Sequence, residues 1–194
     1  MDNIHANSAK HPFSLCGIDE AGRGPIAGSL VMAGCILQSN INGLSDSKKL
    51  SEKRREALFE QIVQKSVYHI VGFSAAIIDA QGISKCLRMG LEEIMTTLAA
   101  DQYLFDGNTT FGVLGLDTMI KADAKVAEVS AASILAKVTR DREMIALDSD
   151  YPHYGFAKHK GYGTALHVEA IKTYGYTPVH RKTFRLKALE PTLF

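Results

Sequence analysis

The chain has 194 residues, of which 46% are hydrophobic and 22% charged, and carries a net charge of +1. Such a composition excludes a disordered or fibrous protein and allows one domain with a core of its own. The longest apolar run, Leu30 to Leu37, is too short to span a bilayer, and Met1-Asp2-Asn3-Ile4-His5 lacks the basic and apolar start of a secretory leader. In chain order, residues 15–19 read as a short strand ended by the turn cluster Gly22-Arg23-Gly24-Pro25. Residues 29–37 are mostly apolar, as in a strand buried on both faces. Ser51 suits the N-cap of a helix to about residue 65, with Leu58, Phe59, Ile62 and Val63 as its apolar stripe. Residues 67–76 predict a third strand, and Ile83, Leu87, Leu91, Ile94, Met95 and Leu98 follow helical spacing. Strands are predicted at 102–106 and 114–120, a long Ala-rich helix at 127–148 and a last helix at 164–174. This order predicts an α/β fold on a mixed sheet. Residues 1–150 are expected to form the core, and 151–194 a helical C-terminal extension packed on it.

Cys16, Cys35 and Cys86 are odd in number and scattered, offering neither a disulfide framework nor a thiolate metal site. A reducing cytoplasm, with no membrane attachment, is the expected setting. Charge is uneven along the chain. From residue 151 onward seven basic residues face Glu169 and Glu190, a net +5, which leaves −4 for the first 150 residues. A basic tail beside an acidic body suits a protein that grips phosphates and holds cations elsewhere, although a solvated basic surface has the same composition.

The acids are more telling. Asp19 and Glu20 end an apolar strand, and neighbours in a strand point to opposite faces. Both reach one site only if the ladder stops at Asp19 and the backbone turns, which the following glycines permit. Buried paired carboxylates repel one another unless a cation lies between them. Alone, the pair would read as an exposed strand end, but Asp106 ends a second apolar strand, again followed by glycine. On the long helix Ser133, Lys137 and Asp141 recur every four residues. The plain reading of that stripe is a surface Lys137–Asp141 pair worth about 0.2–0.5 kcal/mol. The functional one is a hydroxyl and an ammonium for phosphate beside a fourth carboxylate. Oxygen-only ligands select hard cations such as Mg²⁺ or Mn²⁺. Two of them, roughly 3.5–4 Å apart, would clamp the attacking water and the leaving oxygen of a phosphodiester. The spacing Gly22-x-Gly24-x-x-x-Gly28 fails as a dinucleotide fingerprint, and Asp19-Glu20 would repel a pyrophosphate.

Five segments occur in order: Gly17-Ile18-Asp19-Glu20-Ala21-Gly22-Arg23-Gly24-Pro25, Asp46-Ser47-Lys48-Lys49-Leu50, Asp106-Gly107-Asn108, residues 130–141 from Ser130 to Asp141, and Tyr154-Gly155-Phe156 with His159-Lys160-Gly161-Tyr162. In them the chain resembles the type 2 ribonuclease H family in its bacterial form, over nearly its whole length. The resemblance implies a ribonuclease H-like fold, with a mixed five-stranded sheet flanked by helices and a small helical C-terminal extension. It also implies a two-metal site, for Mg²⁺ or Mn²⁺, on Asp19, Glu20, Asp106 and Asp141. The backbone of Gly22-Arg23-Gly24 would read the ribose 2′-OH, and Tyr162 would stack on the sugar 3′ of the ribonucleotide. Lys48, Ser133, Lys137 and Arg181 are the remaining expected substrate contacts. The implied substrates are RNA–DNA hybrids and ribonucleotide-containing duplex DNA, cut 5′ of the ribonucleotide to leave a 5′-phosphate, by a monomer.

Two segments depart from the family pattern. Ala122 stands where glycine is expected in a Lys-Gly-Asp segment, and Lys182-Thr183 where Arg-Ser is common. Residues 189–194 faintly resemble a sliding-clamp-binding peptide, with a frayed apolar end as the plainer reading. Two alternatives stand beside this reading. One is another two-metal nuclease of related fold, against which Gly22-Arg23-Gly24 and Tyr162 speak. The other is a catalytically silent duplex-binding protein, which would lack one of the acids.

Overall fold

The structure, a computed structural model, describes residues 13–44 and 50–184. Strand β2 (Leu30–Leu37) pairs antiparallel with β1 (Leu15–Ala21) on one side and with β3 (Ser66–Phe73) on the other. β1 then pairs in parallel with β4 (Gln102–Asp106), and β4 with β5 (Asp117–Met119). The result is the expected mixed five-stranded sheet, in the order β3-β2-β1-β4-β5.

Both faces of that sheet are covered. Alternate residues of β2 enter opposite cores, which is why the strand carries no polar residue. Leu30 and Met32 pack with Ile78 of α2 (Ala75–Gln81) and with Cys86, Leu87, Leu91 and Ile94 of α3 (Ile83–Thr97). Val31, Ala33 and Cys35 pack with Leu58 and Ile62 of α1 (Glu52–Lys65) and with Ala131, Leu135 and Val138 of α4 (Ala127–Asp150). Ser51 caps α1 as expected, accepting from the Arg54 N–H. Helix α4 lies hard against β1 at Gly17, where a Cβ would sit 2.2 Å from the backbone nitrogen of Val129.

Residues 151–184 pack on the far half of α4. There α5 (Phe156–His159) and α6 (Ala165–Tyr174) bring Tyr154, Phe156, Ala170 and Ile171 onto Met144, Ile26 and Ala27. Among the described residues no helix is long and apolar enough to cross a membrane.

Three expectations need correction. The third strand stops at Phe73 rather than residue 76, because Ser74 accepts from the Ile77 N–H at 3.4 Å and starts α2, a helix that the sequence reading lacks. A four-residue apolar run has too little periodicity to separate helix from strand. The fifth strand keeps only Asp117–Met119, since Gly112 and Gly115 take left-handed φ values of 80° and 72° and turn Leu114 into solvent. The β1–β2 ladder does not stop at Asp19 but continues through Glu20↔Met32 to Ala21↔Val31; only the β4 side ends early, at Ile18↔Phe105.

Gly17→Ala should therefore cost about 1–3 kcal/mol in chemical denaturation by forcing α4 off β1. Gly72→Ala, where nothing lies within 4 Å of the new methyl, is the control and should stay within about 0.5 kcal/mol of the parent.

Candidate active site

The site begins where β1 and β4 end side by side. Asp19 leaves β1 on the same side as Gly17, toward α4, where the Ser133 hydroxyl bonds its carboxylate and the Glu20 N–H donates to Oδ1 at 2.7 Å. Asp106 closes β4 and accepts from the Ala122 N–H at 3.3 Å. Asp123 arrives on a 3-10 turn (Ala122–Ala124) entered through Lys121, which is held at φ 58°. One carboxylate oxygen from each of Asp19, Asp106 and Asp123 lies within 4.8 Å of the other two. Asp19 and Asp123 are buried. Burial, reinforced by the Asp106 and Asp123 carboxylates, pushes the Asp19 carboxyl up to about 7, against the pull of Ser133 and the Glu20 N–H. Three oxygens at this spacing, two of them on buried acids, fit a hard divalent cation, which would relieve their repulsion.

Asp141 does not join this group. It is buried on α4 two turns beyond Ser133, where it pairs with Lys137 Nζ at 2.6 Å and Arg55 at 3.8 Å. The i,i+4 stripe is thus divided. Ser133 holds Asp19, whereas Asp141 holds Lys137, whose side chain lines the cleft. Asp123 takes the place that the sequence reading gave to Asp141. Its signal lies in Lys121-Ala122-Asp123, where the acid follows the alanine that departs from the family pattern. Glu20, next to Asp19 on β1, lines the cleft with a mostly buried side chain and meets Arg23 at 2.8 Å.

The cleft itself is lined by Asp19, Glu20, Ala21, Gly22, Arg23, Gly24, Ser133, Lys137, Arg140 and Tyr162. Its loop owes its orientation to two buried guanidinium groups. Arg140 donates to the carbonyls of Ser29 (2.9 Å), Ala27 (3.0 Å) and Lys160 (2.9 Å). Arg181 donates to those of Gly28 (3.0 Å) and Arg23 (3.3 Å). With these carbonyls drawn inward, the Gly22, Arg23 and Gly24 amides donate to no protein acceptor among the described residues. Gly22 has φ 94°, and a Cβ there would meet Arg140 Nε at 2.2 Å, so the loop demands glycine.

Arg181 is accordingly not a surface phosphate contact. It is 1% exposed, lies 5.1 Å from the Phe184 ring, and has its pKa pushed down to about 10 by burial and by Arg140. Sequence reasoning missed Arg140 altogether, since an arginine on a long helix gives no sign of facing inward. Tyr162 is half exposed, with its ring edge 3.8 Å from where a Gly24 Cβ would lie. Lys48, the segment around Asp46 and residues 189–194 lie outside the described residues.

A mixed sheet with this strand order, with acids gathered where β1 and β4 end, is the ribonuclease H-like architecture. The sequence matches the family model for Ribonuclease HII over residues 16–187. A ribonuclease HII from Sulfurovum sp. (strain NBC37-1) is 63% identical over 93% of this chain and 96% of its own. Among solved structures, the ribonuclease HII of Archaeoglobus fulgidus, determined in complex with PCNA, superposes with a TM-score of 0.78 at 29% identity, covering 93% of this chain and 98% of the other. The ribonuclease H2 of Pyrococcus horikoshii superposes at 0.72, also at 29% identity, covering 91% and 95%. The chain belongs to the ribonuclease HII family. It is an endonuclease, a phosphodiester hydrolase with ribonuclease H activity on RNA–DNA substrates.

Two outcomes are expected from the acids. Asp123→Asn should reduce cleavage to background, whereas Asp141→Asn should retain measurable turnover; the reverse result would restore Asp141 to the cluster. Because the folded-state pKa of Asp19 is raised from 3.8 to about 7, its charge destabilises the metal-free fold above that range and not below it. In EDTA at pH 8, Asp19→Asn should therefore melt above the wild type, with the gap closing as the pH falls toward 4.

Proposed function

We propose that this cleft cuts the RNA strand of RNA–DNA hybrids and incises duplex DNA 5′ of a single embedded ribonucleotide, leaving a 5′-phosphate, with two divalent ions, Mg²⁺ or Mn²⁺. The observation that supports it is that one cleft holds Asp19 of the acid cluster, the undonated amides of Gly22 to Gly24 and the exposed ring of Tyr162. Asp19, Asp106 and Asp123 would hold the ions, with Glu20 beside them in the cleft; bound there, the ions would supply charge stabilisation at the phosphate and acidify a water.

The remaining chemistry belongs to the chain. These amides, with no protein acceptor among the described residues, can donate to a ribose 2′-OH, and the missing side chains at Gly22 and Gly24 let the sugar approach the backbone. Lys137, steadied by Asp141, brings positive charge to the cleft for a phosphate oxygen. Tyr162 offers its ring face to the neighbouring sugar. The exposed basic residues after position 150, among them Lys158, Lys172 and Lys182, supply sequence-independent attraction for the duplex. The enzyme is proposed to act as a cytoplasmic monomer. A sliding clamp is a further proposed partner, since the Archaeoglobus relative was solved with PCNA.

The test is a duplex carrying one ribonucleotide, incubated with Mg²⁺, Mn²⁺ or EDTA, with the cut position mapped. Cleavage after exhaustive chelation, or shortening from an end instead of an internal cut, would overturn the reading. Tyr162→Ala should lower the rate on the single ribonucleotide by about 10²-fold, as expected when positioning is lost by about 1 Å. Long hybrids offer many registers and should lose less. Equal losses on the two substrates would make Tyr162 a structural residue.

A further inference from the structure

Behind Tyr162 lies a cluster of histidines that no step of the proposed reaction uses. His167 and His180 are buried, and their Nε2 atoms lie 3.0 Å apart. Their partners settle which nitrogen carries each proton. His180 Nδ1 accepts from the Thr177 N–H at 2.9 Å, so its hydrogen is on Nε2 and points at His167. His167 Nε2 is then an acceptor. Its Nδ1 carries the hydrogen and donates to the Tyr162 carbonyl at 2.9 Å, an atom that can only accept. The hydrogen bonds therefore run one way, from Thr177 through His180 and His167 to Tyr162.

A third ring holds the second in place. His159 stacks on His167 with centroids 4.4 Å apart and 16° between planes. It takes the Gly161 N–H on Nδ1 and donates from Nε2 to the Tyr154 carbonyl at 2.6 Å. The segment these rings support has little freedom of its own. Lys160 and Gly161 both take left-handed φ, 51° and 81°, a costly conformation for lysine. The Gly161 carbonyl accepts from the Ile26 and Ala27 amides, which ties the Tyr162 segment to the glycine loop of the cleft.

We propose that His167 and His180 are positioning residues for Tyr162: their directed hydrogen-bond relay sets the height of the Tyr162 ring over Gly24 and thereby tunes the preference for a single embedded ribonucleotide. The relay rests on the reading of Tyr162 as the ring that stacks on the sugar. The Thr164 N–H also holds the Tyr162 carbonyl, at 2.8 Å, so loss of the relay moves the ring without releasing it. The expected effect is consequently smaller than removing the ring, about tenfold on the single-ribonucleotide duplex against the ~10² of a full misplacement.

The experiment compares rates on a single-ribonucleotide duplex and on a continuous hybrid for wild type, Tyr162→Ala, His167→Gln, His167→Asn and the Tyr162→Ala/His167→Gln double variant. Asn retains a donor near the Nδ1 position and should recover most of the substrate ratio, whereas Gln, with its amide near Nε2, should not. In the double variant the His167 effect should vanish, because no ring remains to be placed. Nitrogen NMR of labelled histidines should show the hydrogen on Nδ1 of His167 and on Nε2 of His180. Carbon NMR of labelled tyrosine should show the Tyr162 ring signal moving in His167→Gln. If His167→Gln does not fold, His180→Asn, whose amide lies near Nδ1 and leaves no donor for His167, carries the same comparison. An unmoved ring signal with an unchanged substrate ratio, additive losses in the double variant, or the opposite proton placement would overturn the relay. A ring signal that moves while Tyr162→Ala lowers both substrates equally would instead uphold the positioning and remove the stacking role.

Discussion

The approach of α4 to β1 sets the rest of the site. Gly17 is the point of contact, and the missing side chain there brings the start of the helix onto the strand backbone. From that contact the helical rise of about 1.5 Å per residue places everything downstream. One turn on, Ser133 meets Asp19. Two turns further, Arg140 lies beneath the loop that follows β1. At the far end, Met144 receives the C-terminal segment. A single helix thus aligns an acid, a loop and the extension that carries Tyr162.

Two opposite electrostatic problems are built into that alignment. On one side, carboxylates converge from the ends of β1 and β4 and from the 3-10 turn, at a cost that a divalent cation offsets. On the other, two arginines are buried with no ion-paired carboxylate on either guanidinium among the described residues. They donate to five backbone carbonyls, Ser29, Ala27 and Lys160 for Arg140, Gly28 and Arg23 for Arg181, which leaves one Arg181 nitrogen buried without a hydrogen-bond partner among the described residues. Charge-assisted bonds of this kind are stronger than neutral ones and hold the loop in one orientation. The anionic half of the site therefore fits a divalent cation, while the cationic half holds the loop whose Gly22, Arg23 and Gly24 amides donate to no protein acceptor among the described residues. Pre-orientation of this sort avoids reorganisation when substrate arrives.

The strand alternation has a further consequence. Because β1 remains paired with β2 as far as Ala21, Asp19 and Glu20 cannot share a side of the strand. Asp19 faces the acid cluster, and Glu20 lines the cleft paired with Arg23. The two neighbours thus meet the same cleft under different constraints, one buried and hydrogen-bonded, the other tied to a half-exposed guanidinium.

Much of this was legible in the residues themselves. The uninterrupted apolar run of β2 called for burial on both faces, Ser51 marked the start of α1, and Asp19, Asp106 and Gly22-Arg23-Gly24 stood at strand ends where a cleft forms. These are short-range properties: periodicity, capping and the position of an acid after a strand. Other features depend on contacts across the chain. Ser74 chose a helix over a longer β3, a matter of one cap and of packing against the sheet. Helical spacing correctly joined Lys137 to Asp141, but only the path of the 3-10 turn decided that Asp123, and not Asp141, stands beside Asp106. Likewise, the sequence marks Arg181 as a charge without saying which way it faces. Folding buried it against the Gly28 and Arg23 carbonyls, more than 150 residues away in the chain, where its guanidinium donates to both. Local patterns determined the elements and most of the acids. Tertiary packing decided which acids meet and which charges turn inward, since both depend on partners distant in sequence.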